Sequence, residues 1–251
     1  MSSLAIGWIV FTCVFGGAVL GALLRSILPD HHLNADSKDV LKLAMGLTGT
    51  MAALVLSLLI GSAKSAYDTR SNEVMQASAN IMLLDRLLAH YGPETRDIRD
   101  TLRRGVGGTV DRIWSPPGSG SGQFEITAGT EVLLDRIGQL SPQTEAQRAL
   151  QAQVRALTFS LGQTRWLLAG QHDDWALPMP FLAVLVFWLT IIFGAFGLFT
   201  RPNTTIAVVL FVCALSFASA IFLIVELSRP FGGFLQISSA PLQDALSQLG
   251  R

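Results

Sequence analysis

Four stretches of about 20 residues in this chain carry no charged side chain, and no other feature restricts its fold so severely. A helix needs about 20 residues to cross a hydrocarbon layer about 30 Å thick, because backbone amides in lipid must find their partners within the segment. The stretches are Leu4 to Leu24, closed by Arg25 and Pro29; Leu43 to Ser62, between Lys42 and Lys64; Phe181 to Phe199, after Pro178 and Pro180 and before Arg201-Pro202; and Thr204 to Val225. The chain is therefore expected to be an all-α, multi-pass membrane protein whose partner is the lipid bilayer. Met1-Ser2-Ser3 lacks the basic region of a cleaved signal peptide, so the first span is expected to be retained.

Between Lys64 and Trp175 the composition changes: 12 of the 18 basic and 13 of the 18 acidic residues lie there, which predicts a water-exposed domain between the second and third spans. Apolar residues recur in it at helical spacing, as in Ile81, Leu84, Leu88 and Tyr91, or Leu150, Val154, Leu157, Leu161 and Leu168. Long helices are expected, continuing the second and third spans. Gly92-Pro93 marks a junction, and Ser115 to Gly122 reads as a flexible loop. The predicted organisation is a membrane hairpin at 1–63 (spans 4–24 and 43–62), a helical domain at 64–177, a second hairpin at 178–228 (spans 181–199 and 204–225) and a tail at 229–251.

An even number of spans puts both termini on the side of the domain. Basic flanking residues would ordinarily choose the side, but Arg25, Lys38, Lys42 and Arg201 balance Lys64, Arg70, Arg165 and Arg229.

Equal totals of basic and acidic residues leave no net field to recruit nucleic acid. Cys13 and Cys213 lie inside apolar runs with no second ligand nearby and read as packing residues. No nucleophile with its base, metal cluster or phosphate loop is apparent, so neither an enzyme nor a cofactor is predicted. Gly105-Val106-Gly107-Gly108 lacks both the preceding strand and the Gly-Lys-Ser ending of a phosphate loop. His31-His32, near Asp30, Asp36 and Asp39, reads as a solvated loop in which Asp36 or Ser37 caps the second span, with a divalent-ion site as the alternative. His172-Asp173-Asp174 reads as an interfacial turn, anchored by Trp166 and Trp175.

The second span is the least suited to lipid on all sides, since it holds Thr48, Gly49, Thr50 and Ser57. Gly17 and Gly21 in the first span have the spacing of close helix packing. Glu226, one residue beyond the fourth span, either snorkels to water or pairs at the helix end, where Arg229 is the available partner; a role in ion passage is the alternative to structural pairing.

Two motifs carry a resemblance. Leu54 to Arg70 runs from the apolar second span into Ser65-Ala66-Tyr67-Asp68, and Glu226-Leu227-Ser228-Arg229-Pro230-Phe231-Gly232 follows the fourth span. Both resemble bestrophins at corresponding places. Leu84-Asp85-Arg86, Tyr91-Gly92-Pro93-Glu94 and Ser238 to Leu246 are similar to a bacterial branch of bestrophin-like membrane proteins, divergent from the true channels. The resemblance implies a homo-oligomeric ion channel, pentameric and anion-permeable, with small inorganic ions as partners, in the bacterial inner membrane. It also implies that the domain and both termini are cytoplasmic.

Alignment on Tyr67 puts the bulky neck positions of bestrophins at Gly46, Thr50 and Leu54, with Ser57 further along the pore. This chain keeps one large apolar residue of those three, so either the pore is wider or another face, Met51, Val55 and Leu58, lines it. The rival reading is a non-conducting scaffold or sensor whose helical domain binds a cytoplasmic partner. The acidic calcium cluster of animal bestrophins has no counterpart, because Asp244 is the sole acid after Glu226.

Overall fold

The computed structural model describes residues 2–27, 35–114, 126–170, 179–200 and 203–250, with the side chains at 35–38, 126–130 and 165–170 excepted. Eight α-helices and no strand occur among the described residues: α1 (Ser3–Ile27), α2 (Ala35–Tyr91), α3 (Arg96–Trp114), α4 (Ile126–Gly138), α5 (Glu145–Gly170), α6 (Met179–Phe199), α7 (Thr204–Leu227) and α8 (Ala240–Gln248). Of these, α1, α2, α6 and α7 are long and apolar enough to cross a membrane. The His31-His32 loop, the Ser115 to Gly122 loop, the His172-Asp173-Asp174 turn and Arg201-Pro202 lie outside the described residues.

The chain forms two compact units. The first comprises Met1–Tyr67 and Trp175–Leu235, and is built from α1, the start of α2, α6 and α7. Lipid offers helices little hydrophobic drive to associate, so close backbone packing has to supply it. A Cβ on Gly17 would stand 2.7 Å from the Thr190 carbonyl oxygen, one on Gly21 would overlap the Gly194 carbonyl, and one on Gly197 would overlap that of Ala18. The small-residue spacing read in the first span is thus where α1 meets α6. Gly16, by contrast, has nothing within 4 Å. Val14, Leu185, Ala214, Ile221 and Ile224 form the centre of this unit's core. Phe11 and Phe15 stack on each other and meet Phe211 edge-on, with ring centroids 5.3 and 5.5 Å away. The Asn203 side chain caps α7 by accepting the Thr205 amide at 3.3 Å.

The second unit comprises Asp68–Asp174 and Gln236–Arg251. Its α2 segment buries Ile81, Leu84, Leu88 and Tyr91, the stripe that apolar spacing predicts, and also Val74. The second span continues unbroken into this segment, whereas the junction of α5 with α6 lies outside the described residues. At Gly92 the backbone turns to φ +146, which glycine tolerates, and Pro93 opens a short 3-10 turn. Thr95 closes the end of α2, its hydroxyl lying 2.5 and 2.8 Å from the Leu88 and Gly92 carbonyls, which share its one proton.

Helix α3 buries Ile98, Leu102, Val106 and Val110 at four-residue intervals. That stripe keeps it helical although Gly105, Gly107 and Gly108 each cost about 1 kcal/mol relative to Ala. Residues 229–235 cluster with the first unit and 236–251 with the second. Trp114 donates its indole N–H to the Ile237 carbonyl at 2.7 Å, Ser78 donates to that of Pro241 at 2.5 Å, and the Gly250 amide reaches Asp85 at 3.5 Å.

Candidate functional site

Within the first unit α2 has two unlike faces. Ala52, Leu59 and Ala63, no more than 4 % exposed, join the core made with α1, α6 and α7. At 100° per residue, Leu43, Leu47, Thr50, Leu54 and Gly61 fall on the opposite face. Leu47 and Leu54 are 66 % and 72 % exposed, and Thr50 is exposed between them. Of the alternative stripe, Met51 and Leu58 are exposed, but Val55 is partly buried against the core. Thr50 and Leu54 therefore point most directly away from the chain's own helices.

Gly46 and Ser57, both exposed, lie on the flank of this face. They border a groove of about 680 Å³ between α2 and the α6–α7 pair, along with Gly49, Ala53, Phe193 and Cys213. The Thr48 and Thr50 hydroxyls donate to the Ala44 and Leu47 carbonyls at 2.9 and 2.7 Å. Back-bonding of this kind satisfies the donor and leaves oxygen lone pairs facing outward. Exposed Lys42 and Lys64 bracket the face; Lys42 pairs with Asp39 at 3.1 Å and Lys64 sits 5.6 Å above the Tyr67 ring. Along the membrane-exit motif Ser65 is exposed and Tyr67 and Asp68 are half-buried, the two units dividing between the latter pair.

Glu226 does not snorkel to water: it is 1 % exposed in the last turn of α7. Its Oε1 accepts the backbone amides of Phe234 and, at 3.4 Å, Leu235. Its Oε2 has no hydrogen-bond partner among the described residues. The chain returns over the carboxylate through a turn in which the Arg229 amide donates to the Glu226 carbonyl at 3.0 Å and the Gly232 amide to that of Arg229 at 3.2 Å, with Pro230 buried and Phe231 half-buried. Gly233, absent from the sequence motif, makes this return possible. Its φ is +135 and a Cβ there would collide with the carboxylate, whereas a Cβ on Gly232 would meet nothing within 4 Å. The paired glycines were the available signal, but the motif match stopped at the first.

Among the described residues no three His, Cys, Asp or Glu side chains gather as a metal group would require. Gly105 to Gly108 lie in mid-helix, not in a loop. The His31-His32 and His172 groups, Asp30 and Trp175, and the side chains of Asp36 and Trp166, lie outside the described residues.

The family model described as Bestrophin-like domain matches residues 12–242, which takes in the exposed α2 face, the exit motif and the Glu226 turn. The chain belongs to the bestrophin-like family. A crystal structure of a point mutant of a bacterial bestrophin homolog from Klebsiella pneumoniae superposes with a TM-score of 0.57 at 16 % identity, covering 96 % of this chain and 98 % of that one. The two share a fold, and this bestrophin-like chain is a membrane protein. No curated protein matches it in sequence.

Proposed function

We propose that this bestrophin-like protein is an oligomeric ion channel of the bacterial inner membrane, with α2 lining the pore through Gly46, Thr50, Leu54 and Ser57. The observation that carries the reading is the α2 face itself. It turns away from α1, α6 and α7, and it interrupts leucines with a threonine and glycines where a lipid-facing helix has no use for them. Copies of the chain arranged around an axis would bury that face and leave a path walled by one side chain per copy at each level.

Anion permeability is proposed from the family resemblance. Five copies, a cytoplasmic 64–177 domain and cytoplasmic termini follow the same resemblance. The exit motif Ser65, Tyr67 and Asp68, in mid-α2, is assigned to the place where that helix leaves the membrane, and the turn from Glu226 through Arg229, Pro230, Phe231 and Gly232 to fixing the end of α7, rather than to permeation. The neck's single large residue, Leu54, favours the second reading, a non-conducting scaffold. Planar-bilayer recording of the reconstituted oligomer separates the two: currents altered by Leu54→Ala support the channel, and silence from an assembled oligomer supports the scaffold.

A further inference from the structure

A second cavity, of about 390 Å³, has its described lining residues all in the second unit, among them Ile81 of α2, Gly105 and Trp114 of α3, Leu161 of α5 and Leu242 of α8. That size is within the range of small-ligand sites, roughly 300–1,000 Å³. Its wall is mainly aliphatic, and among the described lining residues the charged ones are Arg104 and Arg112, both exposed, with no carboxylate. Arg112 folds over the helix, so that a Cβ on Gly108 would sit 3.9 Å from its guanidinium. Arg104 spends two of its donors on long bonds, 3.3 Å to the Asp100 carbonyl and 3.4 Å to Thr101.

Gly105 and Gly108 lie on the cavity wall, Gly105 at an exposed position. A Cβ on Gly105 would meet nothing within 4 Å, so no neighbouring side chain or backbone requires glycine there. Glycine is nevertheless a poor helix former, and alanine would serve α3 better. What glycine keeps is room along the cavity wall.

The geometry points to a binding site for an amphipathic anion, its apolar body between α2, α3 and α5 and its carboxylate or phosphate head at Arg104 and Arg112. This does not depend on whether α2 lines a pore. The full-length protein, held in phosphatidylcholine nanodiscs, is titrated with dansyl-undecanoate, whose emission brightens and shifts to the blue in an apolar site. Saturable binding above that of empty discs is expected. Gly105→Leu and, on the α2 wall, Ala77→Leu should each weaken it at least about tenfold by filling the cavity, with oligomer elution unchanged because leucine favours helix. Arg104→Gln combined with Arg112→Gln should weaken the anionic probe about tenfold while leaving the uncharged dansyl-undecanamide unaffected. Displacement by laurate identifies a free carboxylate as the occupant, and displacement by lysophosphatidate alone identifies a lipid phosphate. No saturable signal over empty discs, binding indifferent to both cavity-filling variants, or equal loss of both probes in the arginine variant overturns the assignment.

Discussion

Replacing Asp85 by Asn is the perturbation whose cost the structure bounds most closely. Asp85 and Arg99 meet as two parallel hydrogen bonds, Nε to Oδ1 at 2.7 Å and Nη2 to Oδ2 at 2.8 Å, with side chains 6 % and 16 % exposed. The hydrogen bond to Asp85 raises the Arg99 pKa above its already high value, so the guanidinium stays charged at every accessible pH. Loss of the carboxylate charge takes from that cation the counter-charge that forms both of these bonds, and breaking a buried pair costs about 3–5 kcal/mol. Asn retains one acceptor, which places Asp85→Asn near 3 kcal/mol by the same rule, or roughly 10–15 °C in the unfolding midpoint of a domain this size. Trp114 lies in the same unit, so thermal unfolding followed by tryptophan fluorescence reports it. The double variant Asp85→Leu with Arg99→Met removes both desolvation penalties and should fall within about 2 kcal/mol of the wild type. A midpoint for Asp85→Asn within 2 °C of wild type, roughly 0.5 kcal/mol, would refute the reasoning. So would a double variant as unstable as either single one.

The α1–α6 contact predicts that Gly21→Ala, whose methyl overlaps the Gly194 carbonyl, destabilises by about 1–3 kcal/mol, whereas Gly16→Ala, facing open space, leaves the thermal midpoint unchanged. At the Glu226 turn, Gly233→Ala forces a side chain into φ +135 and against the carboxylate, and should expose 229–235 to protease; Glu226→Gln, still able to accept the Phe234 amide, should be cleaved less than Glu226→Ala. Burial, and then the Glu94 carboxylate, hold the Tyr91 phenol above its ordinary value of 10. Its neutral form is the favoured one in the folded state, so the stability it contributes is complete below pH 10 and is lost as pH rises through the raised value. An ultraviolet phenolate titration should show that late step in the wild type and lose it in Tyr91→Phe.

The four spans were legible because lipid permits so few solutions: an uncharged run of 20 residues is a helix or nothing. The end of α2 was legible for a similar reason, since Gly92-Pro93 forbids the helix to continue. Gly17 and Gly21 could be read as packing, but their partner on α6 could not, because spacing says how near a neighbour comes and not which neighbour it is. Glu226 shows the same limit. The sequence offers Arg229 as its partner, three residues on, while the amides of Phe234 and Leu235 reach it only through the turn at Gly233, and backbone donors leave no trace in residue identity. The cavity at Gly105 was illegible altogether: periodicity marks what α3 buries, not the space left beside it.

The account turns on the outward face of α2 meeting water and ions in the assembled protein. In a background where Cys13 and Cys213 are replaced by alanine, single cysteines at Thr50, Leu54, Ala52 and Leu59 are exposed to an anionic methanethiosulfonate while current is recorded. Modification is predicted to change the current through Thr50→Cys and Leu54→Cys and to leave Ala52→Cys and Leu59→Cys, buried against α1, α6 and α7, untouched. Inert cysteines at 50 and 54 in a conducting oligomer would contradict it.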